Sequence, residues 1–101
     1  AHITGGGFNN ISRIIPDNLA VEIDLTSWCF PSVFDTIQEY SGMNELEMLN
    51  IFNCGIGMVL IVPQQDVSHV IQNIQWYDDF SAIEIGKVIK KDTQSITFYR
   101  G

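Results

Sequence analysis

The stretch Phe52-Asn53-Cys54-Gly55-Ile56-Gly57-Met58-Val59-Leu60-Ile61-Val62-Pro63 decides the fold. Along residues 56–62 both alternating faces are apolar, with Ile56, Met58, Leu60 and Val62 on one and Gly57, Val59 and Ile61 on the other. A strand wetted on one side alternates apolar with polar residues, so this run predicts a central strand covered on both faces. Gly55 and Gly57 stand at its entrance. Glycine there either lets another backbone or a ligand approach closely or relieves crowding under a packed helix. Pro63 ends the run far short of the roughly 20 residues that cross a bilayer, so no membrane partner is expected.

The neighbouring segments supply the layers. Asn44, with Glu47 three residues on, forms a capping-box pattern opening a short helix through Leu46, Leu49 and Phe52. Before it, Pro31 suits a first helical turn. Phe30, Val33, Phe34, Ile37 and Tyr40 then recur at helical spacing until Gly42 offers a left-handed cap. Val21, Ile23 and Leu25 alternate with Glu22 and Asp24 as a half-buried strand does. On the other side, Asp66 predicts the cap of a helix carrying Val67, Val70, Ile71 and Ile74. Residues 82–89 and 95–99 read as two strands split by Lys90-Lys91-Asp92-Thr93, an antiparallel, hairpin-like pair. The order β-α-β-α-α-β-α-β-β predicts an α+β (layered α/β) fold, a mixed β-sheet covered by helices, in a single domain over residues 1–101.

The chain opens Ala1-His2-Ile3-Thr4-Gly5-Gly6-Gly7, three glycines between a strand-like start and a helix carrying Phe8, Ile11, Ile14 and Ile15. Backbone amides of such a loop can converge on an anion, and a helix N-terminus favours negative charge. Thr4, Gly5, Gly6 and Gly7 are therefore the candidate phosphate or substrate cradle, with the Thr4 hydroxyl as an added donor. His2 beside it is the candidate catalytic residue, because imidazole moves protons near neutral pH; the alternative is an orienting or merely exposed histidine. His69, on the polar side of a later helix, is expected at the surface. Ala1 falls inside this motif, so the chain is expected to be part of a larger protein.

Composition narrows the function classes. Five Lys and Arg against twelve Asp and Glu give a net charge of −7, which argues against a nucleic-acid surface. Arg13 is the sole Lys or Arg before residue 87, so an anion at the glycine loop would need backbone dipoles, metal ions or other polypeptide to balance it. Arg13 itself is expected to meet a phosphate or a carboxylate such as Asp24. Cys29 and Cys54 form no CxxC or metal pattern and read as reduced thiols of a cytoplasmic protein, without a catalytic cysteine. A hydrophobic fraction of 46% beside 17% charged residues predicts apolar surface that a partner covers.

Ala1-His2-Ile3-Thr4-Gly5-Gly6-Gly7-Phe8, Asn10-Ile11, Arg13, Ile23-Asp24, Ser27-Trp28, Glu47-Met48, Phe52-Asn53-Cys54-Gly55-Ile56-Gly57-Met58 and Ile85-Gly86 closely resemble, in order, the phosphoribosylformylglycinamidine cyclo-ligases, also called aminoimidazole ribonucleotide synthetases. The match corresponds to the second half of that family's C-terminal domain. The resemblance implies an ATP-dependent ring closure in purine biosynthesis, with ATP and Mg2+ held mainly by an N-terminal domain absent here. It further implies formylglycinamidine ribonucleotide as substrate, a homodimer, and an inter-domain cleft of which this chain forms one wall. Asn53 and Gly55 join the candidate binding residues on that basis, as does Arg13. The chain departs from the family pattern in three places. The stretch after Phe8 is one residue shorter, Ser12 replaces a proline, and Asn50-Ile51 replaces an arginine and a threonine. Two other readings fit the loop: a non-catalytic anion-binding or interaction module, and a related ATP-dependent kinase or synthetase of the same superfamily. A reading frame continuing upstream into a nucleotide-binding region separates the enzyme from the module.

Overall fold

Leu19–Asp24 forms β1, the middle strand of a three-stranded mixed sheet in a computed structural model that describes residues 1–101. Gly86–Lys90 forms β2, antiparallel to β1, with Val21 opposite Val88. Ile96–Tyr99 forms β3, parallel to β1 on its other edge, with Ile23 opposite Phe98. The last two strands are therefore not the hairpin that the sequence pattern predicts. They flank β1, and residues 91–95 cross its end, tied by Lys91 N–H to Asn18 O (3.0 Å) and Val21 N–H to Ser95 O (2.9 Å). A strand read only by its own alternation gives no information about which neighbour it pairs with.

Three α-helices accompany the sheet: α1 (Ser32–Ser41), α2 (Glu45–Ile51) and α3 (Val67–Gln75). The stop signal of α1 and the start signal of α2 both hold. Gly42 adopts φ +73° and its N–H returns to Gln38 O (3.0 Å). The Asn44 carboxamide accepts from Glu47 N–H (2.8 Å) while Glu47 accepts from Asn44 N–H (3.3 Å), a complete capping box. Asp66 does precede α3, but its side chain makes no capping bond, because a 3-10 turn at Gln64–Asp66 already leads into the helix. The opening helix also differs from expectation: Gly7–Arg13 is a 3-10 helix, which buries Phe8 and Ile11 and leaves Ile14 exposed. Its tighter winding puts side chains three apart in register, so Phe8 and Ile11 share a face that a fourth-residue spacing would not.

The core lies between one face of the sheet and the layer made by the 3-10 helix and α2. Phe8, Ile11, Met48 and Leu49 meet Val21, Ile23 and Leu25 there. Phe8 packs edge-on against Phe98 (ring centroids 5.7 Å) and tilted against Trp28 (5.9 Å). Glu22 and Asp24, on the opposite face of β1, are half-buried, as their alternation predicts.

Residues 56–62 depart most from the sequence reading. They form no strand of the sheet. A single antiparallel bridge, His2 to Met58, joins them to the start of the chain, supported by Ile3 N–H to Gly57 O (2.9 Å) and Val59 N–H to Ala1 O (2.8 Å). Only Val59 is buried, while Met58 is 60% and Leu60 57% exposed. An apolar run with both faces nonpolar is expected to be covered on both, and this chain buries Val59, half-buries Ile56 and Val62, and leaves the rest exposed. Residues 82–85, included in the predicted penultimate strand, are likewise irregular.

Asn44→Ala removes the capping carboxamide and is expected to destabilise the fold by about 1 kcal/mol in urea unfolding. Val33→Ala, at an exposed position of α1, should change stability by less than about 0.5 kcal/mol.

Candidate functional site

The glycine loop is built around Asn10. This side chain is nearly buried, and its Nδ2 donates to the carbonyls of Gly7 (2.7 Å), Gly5 (3.2 Å) and Thr4 (3.3 Å). Three carbonyl partners fix the orientation of the amide, since the Oδ1 face could not serve them. In a trans peptide the C=O and the following N–H point in opposite directions, and every peptide bond here is trans. Holding the Thr4 and Gly5 carbonyls inward therefore turns the N–H groups of Gly5 and Gly6 outward. Neither makes a hydrogen bond within the chain, and both residues are exposed beside the exposed Thr4.

Gly7 has a different role from its two neighbours. Its N–H turns back to Thr4 O (2.9 Å), and it is buried with φ +59°. A Cβ there would collide with the carbonyl oxygen of Leu49 in α2 and lie 2.9 Å from that of Phe52. Gly7 thus lets the opening helix lie against α2, whereas Gly5 and Gly6 have open space around them. Of the four residues read from the sequence as a cradle, Thr4, Gly5 and Gly6 are exposed, with the Gly5 and Gly6 amides outward, and Gly7 packs against α2.

Asn53 and Gly55 build a turn. Asn53 Oδ1 accepts from Gly55 N–H (2.9 Å), and Asn53 O accepts from Ile56 N–H (3.0 Å). Gly55 takes φ +104° and a Cβ would stand 2.6 Å from Pro31 Cδ, so this position requires glycine on two counts. Trp28 Nε1 donates to Cys54 O (3.0 Å) and fastens the turn to the aromatic cluster.

His2 is exposed and lies opposite Met58, lining a large groove with Gly55. Thr4, Gly5, Gly6, Gly7, Arg13 and Asn53 do not line that groove. The sequence candidates are therefore divided between the outward loop and the groove. Arg13 is exposed and does not pair with Asp24, contrary to one of its two expected outcomes; the ion pairs are Lys87 with Glu22 (3.8 Å) and Arg100 with Glu45. Asp24 is occupied by Thr26, whose hydroxyl (2.6 Å) and N–H (2.8 Å) donate to Oδ1 and hold the carboxyl below its usual range. A lowered carboxyl stabilises the fold above the ordinary aspartate range near pH 4 and loses that contribution as acid protonates it.

Cys54 is fully buried and its thiol is pushed up to about 11, first by desolvation and then by the Glu45 charge. A thiol so raised stays protonated and unreactive at neutral pH, consistent with no role as a nucleophile. Cys29 is exposed. Asn10 is the residue that sequence reading passed over as a role. Its one local signal is a polar side chain between Phe8 and Ile11, three residues after Gly7, where the face is otherwise apolar.

Residues 1–98 match the family described as AIR synthase related protein, C-terminal domain. The chain is 44% identical to phosphoribosylformylglycinamidine cyclo-ligase of Bacillus velezensis and 42% identical to that of Bacillus subtilis, each over 97% of this chain and 28% of the relative. It is also 43% identical to the trifunctional purine biosynthetic protein adenosine-3 of Chironomus tentans, over 91% of this chain and 6% of the relative. The chain belongs to the AIR synthase related family, within its C-terminal domain. It spans little more than a quarter of the length of the cyclo-ligases it matches.

Asn10→Ala leaves inward carbonyls without their donor and should cost about 1–3 kcal/mol in urea unfolding. A thiol reagent at neutral pH should label Cys29 within the mixing time of a manual assay and Cys54 only on unfolding. Because the Cys54 shift is upward, stability should be level below the ordinary thiol range near pH 8.5 and fall as pH rises toward 11. Equal labelling of both thiols in the folded chain contradicts this.

Proposed function

We propose that this chain is the C-terminal portion of an ATP-dependent phosphoribosylformylglycinamidine cyclo-ligase acting in de novo purine biosynthesis. In the proposed reaction formylglycinamidine ribonucleotide is closed to aminoimidazole ribonucleotide with release of ADP and phosphate. An amide oxygen leaves poorly. Transfer of the γ-phosphoryl of ATP to that oxygen makes it a phosphate leaving group, an internal nitrogen attacks the same carbon, and phosphate departs as the ring forms. Such transfers depend on positioning and charge neutralisation more than on covalent help from the protein.

The observation that carries the proposal is the loop of Thr4, Gly5 and Gly6, whose free amides and hydroxyl face outward in a chain of this family. Two backbone donors and a hydroxyl suit the oxygens of a phosphate or phosphoryl group, and being preorganised by Asn10 they need no rearrangement to meet it. His2, two residues before the loop, is proposed to move a proton during ring closure, and Arg13, free of a carboxylate, to offset anionic charge. Asn53 and Gly55 contribute through the turn they shape. On the family resemblance, the proposal assigns Mg2+ and most contacts to ATP to the polypeptide that the relatives carry beyond this segment, with the complete site between the two parts of a cytoplasmic homodimer.

The test is a covalent hybrid in which this chain replaces the segment it matches in the Bacillus subtilis relative. Incubated with formylglycinamidine ribonucleotide and magnesium-ATP, it should release ADP. His2→Ala and Gly6→Ala should each lower kcat by about tenfold or more without loss of fold. A folded hybrid without turnover contradicts the proposal.

A further inference from the structure

We infer that Asn10 is a positioning residue that fixes the Gly5–Gly6 peptide with its N–H outward, and so decides that the loop receives an anion and not a cation. Thr4–Gly7 is a tight turn closed by Gly7 N–H to Thr4 O (2.9 Å). Gly5 has no positive φ, whereas Gly6 stands at φ +91° and ψ −4°. That combination defines a type II turn, whose third residue sits at about φ +80° and ψ about 0°. A type I turn closes the same two ends with its third residue at about φ −90°. The two turns differ by turning over the middle peptide. The hydrogen bond from Gly7 to Thr4 therefore survives the exchange, while Gly6 N–H and Gly5 C=O trade places.

Nothing steric decides between the two states. Glycine takes either sign of φ, and a Cβ built at Gly5 or Gly6 meets no atom within 4 Å. The rest of the backbone does not decide either. Gly6 N–H has no partner in the chain, and Gly5 O accepts from Asn10 Nδ2 alone (3.2 Å). The Thr4 carbonyl, by contrast, is held by Gly7 N–H as well as by Asn10 (3.3 Å). One side chain thus selects the orientation of the middle peptide. Asn10 is only 6% exposed, and its shortest bond, to Gly7 O (2.7 Å), anchors it beneath the turn.

The selection has a chemical consequence. With Gly5 C=O inward, the N–H groups of Gly5 and Gly6 both face an incoming phosphate oxygen. With the middle peptide turned over, a carbonyl oxygen stands where Gly6 N–H stood; it repels a phosphate oxygen and suits a cation. The property of Asn10 that matters is donation. An ionised aspartate has nearly the same shape but no hydrogen to give, so at this position it repels the carbonyls and draws Gly6 N–H inward. Phosphate as the loop's ligand is taken from the proposed function; the orientation of the peptide is not.

The test is NMR of the 15N-labelled chain and of Asn10→Asp. In the native chain a type II turn brings Gly5 Hα close to Gly6 N–H, giving a strong Overhauser contact, and Gly6 exchanges with solvent unprotected. In Asn10→Asp that contact should weaken and exchange at Gly6 should slow about tenfold or more, with Gly7 as protected as before. The inorganic phosphate concentration needed for half-saturation, read at Gly5, should rise about tenfold or more. A merely structural loss would speed exchange at Gly7 and would not slow it at Gly6. A weak contact or a protected Gly6 in the native chain overturns the inference whether or not the variant folds, and so does a folded variant whose Gly6 contact and exchange are unchanged. A native chain with the expected contact that ignores phosphate leaves the hold of Asn10 on the peptide standing and counts against the proposed function alone.

Discussion

The close approach of Gly7 to the carbonyl of Leu49 is the constraint on which the rest of this structure depends. No side chain fits between the opening 3-10 helix and α2, so the two backbones touch, and three other features follow from that contact. Phe8 is driven into the core between Trp28 and Phe98. Ile11 reaches β1. Asn10, the residue before Ile11, is held with its amide under the loop carbonyls. A truncated Phe8 would cost about 3–5 kcal/mol, a large part of the stability of a domain this small. The loop's outward amides are thus set by the same contacts that pack the core.

The sheet and the loop are supported by different kinds of interaction. β1 is paired on both edges and its inner face is covered, so its position is fixed by hydrogen bonds and burial together. The turn at 53–55 is fixed by local chemistry: an Asn carboxamide, a glycine with positive φ, and a tryptophan N–H on a carbonyl. Residues 56–59 are held by hydrogen bonds to Ala1, Ile3 and Asn53 and by burial of Val59, whereas residues 60–62 have no backbone hydrogen bond and α3 has no buried residue. The run at 56–62 is almost wholly apolar, yet Met58, Leu60 and Ile61 are exposed.

Sequence alone was most informative where the determining chemistry is local. The capping box at Asn44 and Glu47, the left-handed Gly42 and the alternation of β1 all depend on residues a few positions apart, and all are present. It was least informative where an outcome depends on a distant partner. The pairing of β3 with β1, the exposure of Met58, Leu60 and Ile61 and the lack of buried residues in α3 are set by what does or does not lie alongside. The same division runs through the site. The glycine run identified the loop, but only the position of Leu49 separates Gly7 from Gly5 and Gly6, and only the three carbonyls reveal what Asn10 does. Arg13 and Asp24 look like natural partners in a chain with few cations, until Thr26 is seen to occupy the carboxylate.

The central claim is that Gly5 and Gly6 present their amides to a phosphate while Gly7 does not. A titration of the 15N-labelled chain with inorganic phosphate, followed through the amide resonances of the three glycines, tests it most directly. The account predicts saturable shifts at Gly5 and Gly6 and an unmoved Gly7, whose N–H is held by Thr4. Unchanged resonances at Gly5 and Gly6, or a shift at Gly7 as large as theirs, would contradict it.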